Sequence, residues 1–134
     1  EEPGLSIDSA ADMVVYKTPT CGCCGKWVEH MRDAGYSVEV REQESLNDVK
    51  QRYKIPGEMQ SCHTAVIDGY FVEGHVPAKV LKRFLKEAPA GARGLAVPGM
   101  PIGSPGMEVG DRQDPYDVLV LKQSNAASVY ATEP

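Results

Sequence analysis

The stretch MVVYKTPTCGCC, residues 13–24, places a short apolar segment directly before three crowded cysteines. Its first five residues are mostly apolar and β-branched, and Thr-Pro-Thr follows them, which predicts a buried strand and then a loop. Downstream, Trp27, Val28 and Met31 share one face of a helix, and Gly35 marks its end. The cysteines are therefore predicted at the junction between a strand and a helix N-terminus.

The sequence that follows alternates between strand and helix patterns. Residues 38–41 alternate valine with charged residues, as in a half-buried strand, and residues 45–55 carry an apolar stripe typical of a second helix. Asp68 and Gly69 lie between two apolar runs, which predicts a two-residue hairpin turn. Pro77 suits the first turn of a third amphipathic helix.

The order strand, helix, strand, helix, hairpin, helix predicts an α/β protein with a thioredoxin-like fold: a βαβ unit, a β-hairpin and a covering helix. We expect a polar lead-in at residues 1–11 and the thioredoxin-like core at residues 12–88. Residues 89–134 are predicted as an extension packed on that core. The first half of the extension is rich in Gly and Pro and is too punctuated for a long helix or strand, and its second half predicts a β-hairpin.

Composition limits the class of protein and its partners. The chain has 134 residues, 42% of them hydrophobic, and a formal net charge of -5, which favours one globular domain and gives no support for binding to nucleic acid or to an anionic membrane. No apolar run approaches the roughly 20 residues that span a bilayer, so no membrane insertion is expected.

The spacing of the cysteines admits a redox couple. Cys21 and Cys24 have the two-residue gap of a dithiol pair, and a helix N-terminus favours the thiolate form. In this interpretation the more exposed Cys21 attacks a substrate disulfide and Cys24 resolves the product. Redox enzymes of this fold, however, usually carry a proline just before the third strand, where this chain has Cys62-His63-Thr64.

Metal binding is the competing interpretation. Zinc accepts four thiolates, but its common sites space them as two separated pairs, whereas this chain offers Cys21, Cys23, Cys24 and the distant Cys62. Cu(I) prefers soft sulfur ligands and low coordination, so bridging thiolates in a multinuclear copper cluster suit crowded cysteines better. A framework of structural disulfides fits poorly, because the adjacent Cys23 and Cys24 bridge each other only with strain.

Three motifs carry a family resemblance: CGCCGKW at residues 21–27, SCHTAVIDGYFVEGHVP at residues 61–77 and VPGMPIGSPGME at residues 97–108. Together they resemble the CopG family of bacterial periplasmic copper-resistance proteins, a thioredoxin-like family first described as a domain of unknown function. The similarity extends from Met13 to the C-terminal hairpin. The cysteine pattern shows no departure from the family.

The resemblance implies a cysteine-bridged cluster of several copper ions, with Cys21, Cys23, Cys24 and Cys62 as its metal ligands. It also implies a role in copper resistance by interconverting Cu(I) and Cu(II), together with export to the periplasm and contact with other copper-handling or efflux proteins there. The chain starts at Glu1 rather than at methionine, and we expect a mature form from which a signal peptide has been removed.

Several other side chains have a metal role and a structural role as alternatives. His63 adjoins Cys62 and is either a ligand or a surface or supporting residue, His75 is expected to pack or cap near the third helix, and His30 is expected to face solvent. Met59, Met100 and Met107 offer thioethers to Cu(I) or simply anchor the chain on the core.

Two functions from different classes stay open. In the first, the protein is a copper oxidoreductase in which bound copper changes its oxidation state during turnover. In the second, it is a non-catalytic buffer or chaperone that delivers copper to an efflux partner. Thiol-disulfide exchange by Cys21 and Cys24 is a third, less favoured alternative.

Overall fold

The computed structural model describes residues 11–99, 101–124 and 126–133. Within these ranges it contains one seven-stranded sheet, three α-helices and a short 3₁₀ helix. The strands are β1 Met13–Lys17, β2 Val38–Glu42, β3 Thr64–Ile67, β4 Tyr70–Gly74, β5 Ala92–Val97, β6 Tyr116–Lys122 and β7 Ala127–Glu133. The helices are α1 Gly22–Asp33, α2 Asn47–Arg52 and α3 Ala78–Glu87, and the 3₁₀ helix is Gly57–Met59.

The strands form one mixed sheet in the order β2-β1-β3-β4-β5-β6-β7. β1 and β2 are parallel and are connected through α1, so the predicted βαβ unit is present. β3 is antiparallel to β1 and to β4, and β5 runs parallel to β4 after α3. β5, β6 and β7 are antiparallel neighbours. The α/β class predicted from the sequence is confirmed.

Apolar cores cover both faces of the sheet, because alternate residues of a strand point to opposite faces. One core joins α1 and α3 to the first face, and Trp27 and Phe84 are among its largest fully buried side chains. The second core joins α2 to the opposite face through Val49 and Phe71. Burial on both sides explains why β1 reads as a continuous apolar run rather than as an alternating one.

The β3–β4 hairpin turns at Asp68 and Gly69, as predicted. Both residues have positive φ, 52° and 83°, which is the backbone that a two-residue type I′ turn requires and that Asp-Gly favours. This turn sets the register of the two strands, in which Thr64 lies opposite Glu73. It thereby also fixes the chain just before β3 and just after β4, where several site residues lie.

β5 was not predicted, because it lies in the Gly/Pro-rich half of the extension. Gly94 of β5 pairs with Phe71 of β4, and a Cβ at position 94 would stand 2.6 Å from the Phe71 ring. The glycine therefore allows this strand to join the sheet. The predicted hairpin at the end of the chain is present as β6 and β7.

The lead-in predicted at residues 1–11 lies outside the described residues except for Ala11. The boundaries of the predicted core and extension stay predictions. None of the described helices combines the length and the apolar character needed to cross a bilayer.

Candidate metal site

Cys21 and Cys24 lie at the start of α1, as predicted, and they form a disulfide. Cys21 is the N-cap residue, and Cys24 is fully buried in the first turn of the helix. Unpaired backbone N–H groups and the helix dipole stabilise negative charge at this position, so reduction of the disulfide would favour thiolates here. Cys23 belongs to the same turn, and its side chain lies outside the described parts of the chain.

Cys62 retains its thiol and faces the disulfide from the segment before β3. The Sγ atoms of Cys21, Cys24 and Cys62 all lie within 4.8 Å of one another. The Cys24 sulfur also lies 3.7 Å from the Cys62 carbonyl oxygen. That approach is a van der Waals contact, because a disulfide sulfur has no hydrogen to donate. Three of the four predicted ligand cysteines therefore meet at one place.

Two buried imidazoles surround Cys62. Its Sγ lies 3.1 Å from Nε2 of His75 and 3.3 Å from Nδ1 of His63. The other nitrogen of His75, Nδ1, lies 2.6 Å from the carbonyl oxygen of Pro105. Cys62, His63 and His75 offer one thiol and two imidazole donors, all within 4.8 Å of one another.

His63 is the most completely desolvated of these donors. It is fully buried, and its Nε2 has no hydrogen-bond partner among the described residues. Burial, followed by the charges of His75 and Lys50, holds the pKa of His63 well below its usual range. Burial also lowers the pKa of His75. Both rings are thus held neutral, which is the form in which imidazole binds a metal ion.

Trp27 closes one side of the site. Its ring centroid lies 4.5 Å from that of His63, and its indole N–H donates to the carbonyl oxygen of Val76 at 2.9 Å. The indole is fully buried, so it excludes water from one face of His63 while its own polar group stays satisfied.

A buried ion pair lies beneath the segment that carries Cys62. The Lys50 ammonium of α2 donates to the Glu73 carboxylate of β4, and both side chains are almost completely inaccessible. Thr64 donates to the same carboxylate at 2.6 Å, and the backbone N–H of Ser61 donates to it at 2.8 Å. Burial raises the pKa of Glu73, and the neighbouring Lys50 opposes that shift.

Of the remaining candidates, three lie within the described residues and one lies outside them. Met59 is buried in the core between α2 and the sheet, whereas Met107 is half-buried in the extension. Met100 lies outside the described residues. His30 does not simply face solvent, because its Nε2 accepts the backbone N–H of Ala78 at 3.1 Å.

Comparison with known proteins identifies related structures. Two solved structures of copper resistance protein CopG match with TM-scores of 0.87 for form 2 and 0.86 for form 1. The sequence identity is 46% for form 2, and the match covers 94% of this chain and 100% of that one. For form 1 the identity is 48%, with coverages of 91% and 96%.

The chain belongs to the CopG family. A family model for proteins of unknown function, DUF411, matches residues 59–107, a segment that contains Cys62, both buried histidines and Pro105. No curated protein sequence matches the chain. Membership of the CopG family, together with the thiols and imidazoles at one place, supports a copper-related role.

His75 was expected to pack or cap near the third helix, and it is indeed buried two residues before Pro77, the N-cap of α3. Its approach to the Cys62 sulfur was not predicted, and the role of His63 was left undecided. The sequence does contain a usable signal, since each histidine directly follows or precedes residues that the pattern assigned to buried strands. An uncharged polar ring at the end of an apolar strand needs a partner. The strand register brings both ends together, so pairing β3 with β4 would have placed His63 and His75 at the same edge.

Proposed function

We propose that this member of the CopG family is a periplasmic copper-resistance protein that holds several copper ions among Cys21, Cys23, Cys24 and Cys62 and interconverts Cu(I) and Cu(II). The observation that carries the proposal is the meeting of three cysteine Sγ atoms within 4.8 Å at a helix N-terminus. The copper resistance named for the related structures supports the choice of metal.

The donors suit copper in both oxidation states. Thiolate is soft and favours Cu(I), whereas imidazole also binds Cu(II). His63 and His75 add two neutral ring nitrogens beside the Cys62 sulfur, Nδ1 of His63 and Nε2 of His75. A site of mixed sulfur and nitrogen donors therefore lets copper change its oxidation state without leaving the protein.

The disulfide imposes a redox condition on copper binding. Disulfide sulfurs carry no thiolate charge, so Cys21 and Cys24 become ligands only after the S–S bond accepts two electrons. An external thiol reductant supplies those electrons by attack on the disulfide and release of a thiolate. The disulfide and the fully loaded copper site are thus alternative states of the same two sulfurs.

The fold proposal behind this site is a thioredoxin-like core. Its support is the parallel pair β1 and β2 around α1, followed by the antiparallel β3–β4 hairpin and α3. In such a core the first helix presents the cysteine pair, and the chain before the third strand faces it. Cys62 occupies that facing position, where a redox enzyme of this fold would usually carry proline.

Anaerobic titration of the reduced protein with Cu(I) tests the proposal. We expect more than one copper ion per chain and a thiolate-to-copper absorption band that grows until the site is full. The variant Cys23→Ser should bind fewer copper ions while Cys21 and Cys24 still form a disulfide. Saturation at a single ion, or displacement of copper by equimolar zinc, would contradict the cluster.

Catalysis and storage are separated by turnover. With an external electron donor and acceptor present, an oxidoreductase interconverts Cu(I) and Cu(II) many times per protein. A buffer or chaperone takes up a stoichiometric amount of copper and then stops, and it passes this copper to an acceptor protein. The imidazole nitrogens beside Cys62 favour the first outcome, because a store for Cu(I) alone needs only sulfur.

The disulfide itself favours a second candidate, thiol-disulfide exchange without metal. Such an enzyme would reduce or oxidise a protein disulfide when copper is absent, through the half-exposed Cys21. Reduction of insulin by the copper-free protein with a thiol donor measures this activity. A rate equal to that of Cys21→Ser would exclude it.

A further inference from the structure

Protein stability alone does not account for the buried ion pair between Lys50 and Glu73. Removing two charges from water is energetically costly, and an apolar pair of similar volume is often equally stable or more stable. Only a charged pair, however, supplies a strong acceptor and a strong donor in the same small space. The partners of this acceptor and donor indicate what the pair does.

Both backbone groups of Ser61 bind to this pair. The Ser61 N–H donates to the Glu73 carboxylate at 2.8 Å, and the Ser61 carbonyl oxygen accepts from the Lys50 ammonium at 3.3 Å. That carbonyl belongs to the peptide bond that joins Ser61 to Cys62. The pair therefore holds the peptide unit from which the Cys62 side chain projects.

The strand register and a glycine reinforce this arrangement. Thr64 lies opposite Glu73 in the β3–β4 pair and donates to its carboxylate at 2.6 Å, while Lys50 donates to the Thr64 hydroxyl at 3.1 Å. The Ser61 hydroxyl donates to the carbonyl oxygen of Gly99 at 2.6 Å. Residues on both sides of Cys62 are thus fixed by the same two buried charges.

We propose that Lys50 and Glu73 are positioning residues for the Cys62 thiol: by holding the Ser61–Cys62 peptide unit, they set the separation between Cys62 and the Cys21–Cys24 pair. The proposal rests on the proposed copper site, of which Cys62 is a part. The consequence is that the ion pair controls how tightly, and in what number, the site holds copper.

Two double variants separate the charges from the hydrogen bonds. The first, Lys50→Met with Glu73→Leu (the Met/Leu variant), removes both the donor and the acceptor. The second, Lys50→Met with Glu73→Gln (the Met/Gln variant), keeps an uncharged acceptor for the Ser61 N–H. Lys79→Met with Glu133→Gln removes another lysine–glutamate pair, at 2.8 Å and with a largely exposed lysine, as the matched control. Urea unfolding confirms which variants are folded under the conditions of each measurement.

Cu(I) affinity, stoichiometry and the thiolate-to-copper absorption spectrum are measured in the reduced proteins. We expect the Met/Leu variant to lose about tenfold or more in affinity, with fewer ions per chain and a shifted spectrum. The Cu(I) affinity of the Met/Gln variant should lie between those of the Met/Leu variant and the wild type. The control should match the wild type in affinity, stoichiometry and spectrum. A folded Met/Leu variant with wild-type affinity, stoichiometry and spectrum would overturn the proposal.

A measurement without copper distinguishes this proposal from the copper proposal. In the copper-free protein, the Ser61 amide hydrogen should exchange slowly in the wild type and in the control, and should lose its protection in the Met/Leu variant. If the wild type fails to bind Cu(I), only the copper site is contradicted. If the Ser61 amide keeps its protection in the Met/Leu variant, only the positioning role is contradicted.

A milder variant decides the matter if the Met/Leu protein does not fold. Glu73→Asp keeps the negative charge but shortens the side chain by one methylene, which draws the carboxylate back from both of its donors, the Ser61 N–H and the Lys50 ammonium. Weaker Cu(I) binding by this variant supports positioning by distance. Wild-type binding together with lost Ser61 protection would show that the peptide unit does not set the position of the thiol.

Discussion

His75 presents Nε2 to the Cys62 sulfur at 3.1 Å while its Nδ1 lies 2.6 Å from the Pro105 carbonyl oxygen. A carbonyl oxygen only accepts hydrogen bonds, so this contact assigns the proton to Nδ1 of the neutral ring. Nε2 then offers its lone pair to the thiol or to a metal ion. The extension thereby determines which nitrogen of His75 faces the site.

The neutral histidines predict a pH dependence of stability. Burial lowers the pKa values of His63 and His75 below the unfolded value of about 6.5. The neutral rings therefore make their full contribution to the free energy of unfolding above about pH 6.5. This contribution is lost as the pH falls through that value toward the lower pKa values of the folded state. Urea unfolding of the copper-free protein between about pH 8 and pH 5 should show the free energy of unfolding decreasing with acidity.

The double variant His63→Gln with His75→Gln is the control for this dependence. It keeps polar side chains at both positions but removes the two titrating rings. Its free energy of unfolding should change less with pH over the same window than that of the wild type. Equal slopes for the two proteins would refute the assignment of the effect to these rings.

The disulfide predicts that the redox state of Cys21 and Cys24 sets the number of copper ions that the protein binds. With Cys21 and Cys24 bridged, two of the predicted thiolate ligands are missing, so the oxidised protein should bind fewer Cu(I) ions than the reduced protein. Copper per chain is measured after desalting under anaerobic conditions. The double variant Cys21→Ser with Cys24→Ser cannot form this bridge, so disulfide-forming oxidation should change its copper capacity less than it changes that of the wild type. The same capacity in oxidised and reduced wild type would be inconsistent with these ligands.

Gly74 predicts a local steric effect next to the site. Its φ is +79°, and a Cβ there would stand 2.5 Å from the Val97 carbonyl oxygen and 2.8 Å from Cβ of Ser61. Gly74→Ala should therefore combine backbone strain with overpacking and lower the free energy of unfolding by about 2 to 5 kcal/mol. Urea unfolding measures this loss.

Gly91 provides the matched control. Its φ is similar, +76°, but a Cβ there meets nothing within 4 Å. Gly91→Ala should show only the strain of a left-handed backbone, about 1 kcal/mol. If the two alanine variants were equally stable, the close approach at Gly74 would have no energetic weight.

His30 predicts a capping effect on α3. Its Nε2 accepts the Ala78 N–H at 3.1 Å, one of the backbone donors that a helix start leaves without an internal partner. His30→Ala should cost about 1 kcal/mol at pH 7.5 or above. Burial lowers the pKa of His30, so the cost should persist somewhat below pH 6.5 and disappear once the ring is protonated.

Lys26→Ala is the control for this variant, because Lys26 lies on the same helix and is exposed. It should leave the free energy of unfolding nearly unchanged, and the helix content measured by circular dichroism should stay the same. A comparable loss in both variants would point to α1 itself rather than to the cap on α3.

Local sequence signals predicted the elements that depend on local causes. The apolar run of β1, the helix stop at Gly35 and the turn at Asp68 and Gly69 follow from short-range patterns, and the structure has each of them. Placement of Cys21 and Cys24 at a helix start followed from the same patterns. The meeting of Cys62 with that pair depends on the fold: Cys62 lies where redox enzymes of the predicted thioredoxin-like fold usually carry the proline that faces the cysteines.

Features that depend on distant partners could not be predicted from local pattern. β5 escaped prediction because Gly94 gains its place from the Phe71 ring across the sheet. Lys50 reads as a solvent-facing helix residue in the sequence, and nothing near it along the chain indicates that Glu73 will be its buried partner. The position of His75 likewise depends on a carbonyl group 30 residues further on.

The contact between His75 and Pro105 bears on any attempt to transplant the site. A graft that carried only the cysteine loop and the β3–β4 hairpin would bring the sulfurs and both imidazoles, but it would leave Nδ1 of His75 without its acceptor. The ring could then rotate or change tautomer, and Cys62 would face an unspecified nitrogen. A minimal transferable unit must therefore include the loop around Pro105, together with the strand that delivers it.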